Sequence, residues 1–182
     1  MQKIQFILGI LAAASSSATL AYDGTINFTG KVVDQTCSVT TGTAPLAVTL
    51  PTVSTKSLDS TGKVAGLTPF TISLSGCNTA AATGAQSVKA YFEPNATTDY
   101  DSHNLNISSS GSGNATNVQI QLLNADGTTQ ILLGNDSATQ GVTPVVINND
   151  AMTLRYNARY YATGPATAGN VSATVNYTIA YQ

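Results

Sequence analysis

The chain has 182 residues, a formal net charge of −2, only 9% charged residues and no tryptophan. That length is one ordinary domain, and without a basic surplus it has no charge-based grip on nucleic acid or anionic lipid. Thr, Ser, Asn, Ala and Gly take the place of charge, which suits an exported β-protein better than a cytosolic enzyme.

The first element in chain order is a leader. Lys3 precedes an apolar run from Ile4 to Ala14, and Ser15-Ser16-Ser17-Ala18 leads into Thr19-Leu20-Ala21. This is the order of a secretory signal peptide, and the run is shorter than the roughly 20 apolar residues a membrane span needs. Cleavage is expected after Ala21, with Ala18 as a second site. No later stretch is apolar for long enough to anchor the chain.

Next, Ile26, Phe28 and Val32 alternate with Thr25, Asn27, Thr29 and Lys31, and Gly30 falls on the apolar face. A period of two predicts a strand with one buried face. That strand either folds into its own sheet or serves another molecule. Further period-two segments are Ala47 to Leu50, Phe70 to Leu74, Val88 to Phe92, Val118 to Leu122, Val142 to Ile147, Leu154 to Tyr161 and Val171 to Tyr181. Turn tracts such as Asn124-Ala125-Asp126-Gly127 and Ser108 to Asn114 separate them. No helix of ten or more residues, internal repeat or linker is expected, so the pattern predicts an all-β sandwich or barrel.

The last segment raises a physical question. Val175, Tyr177, Ile179 and Tyr181 alternate with Thr174, Asn176, Thr178 and Ala180, with no charge or proline to guard them. A long apolar edge aggregates unless something covers it. It is either an ordinary core strand or an edge awaiting a partner, and Gly169 reads as a turn residue opening it.

Chemistry is sparse. Cys37 and Cys77 are an isolated pair in an exported chain and read as one disulfide, closing a loop worth about 4 kcal/mol of chain entropy. His103 lies beside Asp99, Asp101 and Ser102 in a polar loop without a nucleophile elbow, and reads as a solvated histidine. No twelve-residue calcium loop is present, no phosphate loop occurs, and two cysteines with one histidine are too few for a metal site. No enzyme activity, cofactor or metal is therefore expected. Glu93 before Pro94 reads as a strand-end charge, and Arg155 and Arg159 as solvated or paired groups on one face. The Asn-x-Ser/Thr triplets at Asn95, Asn106 and Asn170 are what chance gives in a chain rich in Asn and Thr.

Several blocks together resemble the pilins of the chaperone–usher pathway, type 1 fimbrial major subunits above all. They are Gly24 to Val33 followed by Asp34-Gln35-Thr36-Cys37, then Leu50-Pro51 with Val53, Thr68-Pro69-Phe70 and Leu74-Ser75-Gly76-Cys77. Asn117-Val118-Gln119-Ile120 and Ala158 to Gly164 continue the match, and Gly169 and Tyr181 stand at the family's glycine and penultimate tyrosine. The resemblance implies an immunoglobulin-like β-sandwich lacking its C-terminal strand and completed by donor-strand complementation. Residues 22–33 become an N-terminal extension and 34–182 the incomplete domain.

In that scheme Ile26, Phe28, Gly30 and Val32 enter the groove of a neighbouring copy. A periplasmic chaperone fills the groove first, and at an outer-membrane usher the next subunit's extension replaces it. The three apolar donors bury roughly 5–9 kcal/mol gross, while Gly30 permits close backbone approach. Gly169, Val175, Tyr177, Ile179 and Tyr181 form the groove edge that the chaperone meets. The resemblance further implies a shaft subunit of a cell-surface fimbrium, exported through the periplasm, supporting adhesion and having other pilus subunits as partners, with no nucleic acid and no membrane insertion. The alternatives are a minor adaptor and a secreted lectin-like or adhesin module. Tip adhesins carry an additional receptor-binding domain, for which a chain beginning at Tyr22 leaves no room.

Overall fold

The structure, a computed structural model, describes residues 26–30, 32, 37–40, 45–80, 87–108 and 112–182. The expected leader, Lys31 and residues 33–36 lie outside the described residues. The chain divides before Val32, and residues 26–30 are taken by themselves. They adopt no regular secondary structure, and Ile26 and Phe28 are 78% and 90% exposed. Val32, at the start of the second part, is fully exposed.

Among the described residues the second part contains nine strands: β1 (Ser38–Val39), β2 (Val64–Ser75), β3 (Ser87–Glu93), β4 (Thr98–Asp99), β5 (Asn104–Asn106), β6 (Val118–Asn124), β7 (Val145–Val146), β8 (Met152–Ala162) and β9 (Asn176–Tyr181). They form a six-stranded sheet in the order β1-β2-β8-β6-β5-β4 and a three-stranded sheet in the order β7-β3-β9. Every pairing between named strands is antiparallel. A short 3-10 helix, Thr55–Leu58, is capped by Ser54.

Alternation explains the core. Ile72 and Leu74 of β2, Ile120 and Leu122 of β6, and Leu154, Tyr156 and Ala158 of β8 point inward to meet Val88, Ala90 and Phe92 of β3. The Tyr156 ring lies edge-on to Phe92 with centroids 5.2 Å apart, and 5.7 Å from Phe70. Aromatic pairs in this arrangement add about 0.5–1.5 kcal/mol beyond area burial. The Cys37–Cys77 disulfide is formed; it ties the residue before β1 to the chain just beyond β2, where Ser38 pairs with Ser75.

The long central strands match the expected segments, and the differences have physical causes. Ala47 to Leu50 is extended by pattern, with Val48 and Leu50 half-buried and Thr49 exposed, yet it forms no strand because it has no strand neighbour among the described residues. Of Val142 to Ile147 only β7 pairs. The strand expected over Val171 to Tyr181 shortens to β9, so Gly169 and Val175 precede it. Its partner β3 stops at Glu93, and Pro94 has no N–H with which to continue the ladder.

Gly169 does not open β9. A Cβ there would stand 2.2 Å from the Ala115 nitrogen, so glycine is required for the chain to pass against residues 113–115. Asn170 completes that contact: its carbonyl accepts from Ala115 N at 3.0 Å and its N–H donates to Gly113 O at 2.8 Å. His103 is not simply solvated. It takes a left-handed turn conformation (φ 57°), with Nδ1 2.8 Å from the Leu133 carbonyl.

Candidate functional site: an open groove along the C-terminal strand

β9 has β3 on one side and, among the described residues, no strand on the other. In an antiparallel pair, alternate residues direct their backbone groups towards the partner. Gln182 exchanges hydrogen bonds with Ser87 in both directions, at 3.0 and 3.1 Å, so the even-numbered residues face β3. The same parity continues upstream of β9: the Thr174 carbonyl accepts from Asn95 Nδ2 at 2.9 Å, and the Ser172 carbonyl from Ser108 N at 2.7 Å. The odd-numbered residues from Val171 to Tyr181 therefore present their N–H and C=O groups to the open side. Their side chains turn inward and pack, half-buried, against the core.

Opposite this edge runs Pro45–Leu50, whose backbone also has no strand partner among the described residues. Between the two lies a cavity of about 990 Å3. Pro45, Leu46, Val48 and Leu50 form one wall, and Val171, Ala173, Val175 and Tyr177 the other. Phe70, Ile72, Leu105, Ile120, Leu122, Ala158 and Tyr160 form the floor; this is the inner face of the six-stranded sheet, seen through a gap in the three-stranded one. Glu93 is the sole carboxylate on the lining and accepts a hydrogen bond from the Thr178 hydroxyl. Burial pushes the Tyr160 and Tyr181 phenols above their ordinary pKa, as apolar surroundings disfavour the phenolate.

The second edge of β3 is treated differently. Beyond its short pairing with β7, the Gln140 side chain takes the place of a strand: Oε1 accepts from Phe92 N at 3.0 Å and Nε2 donates to Phe92 O at 2.7 Å. The Tyr156 hydroxyl accepts from Ala90 N at 3.0 Å. Side chains seal that edge, whereas the edge of β9 is left open beside an apolar trough.

The expected site residues distribute as follows. Val175 and Tyr177 line the groove, and Ile179 and Tyr181 continue the same inward row. The Tyr181 hydroxyl donates to the Cys37 carbonyl at 3.3 Å, bridging the end of β9 to the residue before β1. Gly169 lies away from the edge, against residues 113–115. Ile26, Phe28 and Val32 are exposed, and a Cβ on Gly30 would meet open space. Pro45, Leu46, Val48, Val171 and Ala173 are lining residues that sequence reasoning did not single out, although the last two share the parity of Val175. Among the described residues no cluster of His, Cys, Asp or Glu could hold a metal ion. What the arrangement can hold is an extended apolar segment, between two backbone edges without a strand partner among the described residues and over a hydrophobic floor.

The type-1 fimbrial protein A (FimA) family model matches residues 50–182. The chain is 72% identical to the F17 fimbrial protein of Escherichia coli over the whole of both chains. It is 43% identical to the major fimbrial subunit SMF-1 of Stenotrophomonas maltophilia (strain K279a), over 94% of this chain and 99% of that one. A solved chaperone–usher pilus structure superposes with a TM-score of 0.62 at 21% identity, covering 92% of this chain and all of that one. The P pilus rod subunit PapA does so with a TM-score of 0.59 at 18% identity, over 80% and 99% of the two chains. At these identities the structural likeness is one of fold, the immunoglobulin-like sandwich. With the family model spanning most of the domain and relatives matching nearly end to end, the chain belongs to the type-1 fimbrial protein family.

Proposed function

We propose that the chain is a structural subunit of a fimbrial shaft, and that residues 22–33 of one copy fill the groove of the next. The observation that carries this reading is the open β9 edge beside a cavity of about 990 Å3 with an apolar floor, in a fold that seals the second edge of its neighbouring strand β3 with Gln140 and Tyr156. Ile26, Phe28 and Val32 have the spacing and the exposure of a strand whose apolar face belongs in another copy. Register is then strongly specified, because a slip of one residue turns every apolar group outward. Family membership supports the remainder of the scheme. The leader ending at Ala21 is removed on export, a periplasmic chaperone covers the groove before assembly, and an outer-membrane usher is where one strand replaces the other. The assembled subunits stand at the cell surface.

Gly30 provides the test. In the lone chain a side chain at Gly30 meets nothing, whereas in a neighbour's groove it must pass where backbone approaches backbone. Gly30→Leu is expected to leave the amount of periplasmic subunit unchanged and to abolish shafts seen by negative-stain microscopy. Shafts of normal number and length from that variant would rule out the donor assignment.

A further inference from the structure

We propose that Asn95 is a positioning residue that lengthens the groove's acceptor edge, carrying it upstream of β9 to Val171; this rests on the donor-strand reading above. β9 pairs with β3 only from Asn176 onward, because β3 ends at Glu93 and Pro94 cannot donate. Ile26 to Val32 spans about 20 Å when extended, and β9 with Gln182, which also pairs with β3, spans about the same. An edge limited to that ladder therefore matches the donor face alone and leaves no length for its flanking residues.

Asn95 replaces the missing ladder. Its Oδ1 accepts from Thr97 N at 2.8 Å and from Thr97 Oγ1 at 2.7 Å, which fixes the orientation of the amide plane. Nδ2 is thereby aimed at the Thr174 carbonyl, 2.9 Å away and 79 residues along the chain. That bond holds Thr174 on the parity a β3 residue would have imposed, so Val171, Ala173 and Val175 keep their backbone groups on the open side. Ser108 supports the same wall one step further up, through the Ser172 carbonyl. The Asn95-Ala96-Thr97 triplet is thus a turn whose asparagine amide already has a structural partner.

Asn95→Asp separates the two roles of the residue. It retains an oxygen for Thr97, and hence the turn, but removes the Nδ2 donor to Thr174. The mature subunit is saturated with a synthetic peptide of residues 22–33, and amide hydrogen exchange is followed by NMR. In the parent chain the peptide is expected to slow exchange at Val171, Ala173, Val175, Tyr177 and Ile179. In Asn95→Asp it slows exchange at Tyr177 and Ile179 alone and leaves about 10-fold faster or more, as loss of several backbone hydrogen bonds requires. Thr97→Ala, which loosens the turn but retains the amide donor, keeps the upstream protection. If Asn95→Asp matches the parent at all five amides and in peptide release, the role of Asn95 is overturned while the donor reading survives. If the peptide protects none of the five in the parent chain, both readings fall.

Discussion

Asp126 sits in the turn after β6, where Oδ1 accepts from Thr128 N and Thr129 N at 2.8 Å each and Oδ2 from the Thr129 hydroxyl at 2.5 Å. These bonds, the Thr129 hydroxyl foremost, hold its pKa at about 2, below the ordinary carboxylate value. A depressed folded pKa stabilises the fold above the unfolded pKa and loses that stabilisation as pH falls towards the folded one. Asp126→Ala is therefore expected to melt below the parent chain at neutral pH, with the difference shrinking as pH drops from about 4 to about 2. Thermal melts of the peptide-complemented subunit at several pH values measure this, and a pH-independent gap would assign the effect to something other than the carboxylate. Asp136 repeats the device, accepting from Thr139 N and Oγ1 at 2.8 Å. Such residues are legible as turn formers, but their titration follows only from the hydrogen-bond geometry.

β1 is two residues long, the wall Pro45–Leu50 that follows has no strand neighbour among the described residues, and the Cys37–Cys77 bond ties the start of β1 to the end of β2. Replacing both cysteines with serine is expected to cost about 4 kcal/mol by the loop-entropy account. Periplasmic yield and melting temperature should both fall, and unchanged values would show the bridge to be dispensable. At this scale the sequence was informative wherever one face of a strand was apolar, as in β2, β3, β6 and β8. It was uninformative for β4 and β5, whose Thr98 and Asn104 are buried although polar. Gln119 accounts for Asn104: Nε2 donates to Asp99 and Asn106, and Oε1 accepts from Ser102 and Asn104, while the Thr98 hydroxyl accepts from Asn95 N at 3.0 Å. A satisfied amide network packs without an alternating pattern. β9 starts later than the alternation predicts for a different reason, because the apolar parity persists through Val171 while the partner strand ends at Glu93, before Pro94. The inward parity of Val175, Tyr177, Ile179 and Tyr181 was legible in the sequence, whereas the wall from Pro45 to Leu50 and the Asn95–Thr174 bond were not. Both depend on contacts between segments distant in the chain.

Taken whole, the sandwich has a six-stranded sheet facing a three-stranded one, and its floor is accessible to solvent along one side. Stability then follows mass action, since whatever fills the groove binds the folded chain and not the unfolded one. A peptide of residues 22–33 at about 100 times its dissociation constant adds about 2.7 kcal/mol. For a chain of this size that raises the melting temperature by about 5–10 °C. Scanning calorimetry against peptide concentration tests this, and a midpoint independent of the peptide would mean that the fold is already complete. The sealed second edge of β3 adds a geometric consequence. On the donor-strand proposal, with Gln140 and Tyr156 occupying one border and the β9 edge open among the described residues, each copy would have one socket and one plug. Units of that valence would join head to tail into an unbranched thread, and a copy lacking its plug would end the thread on that side.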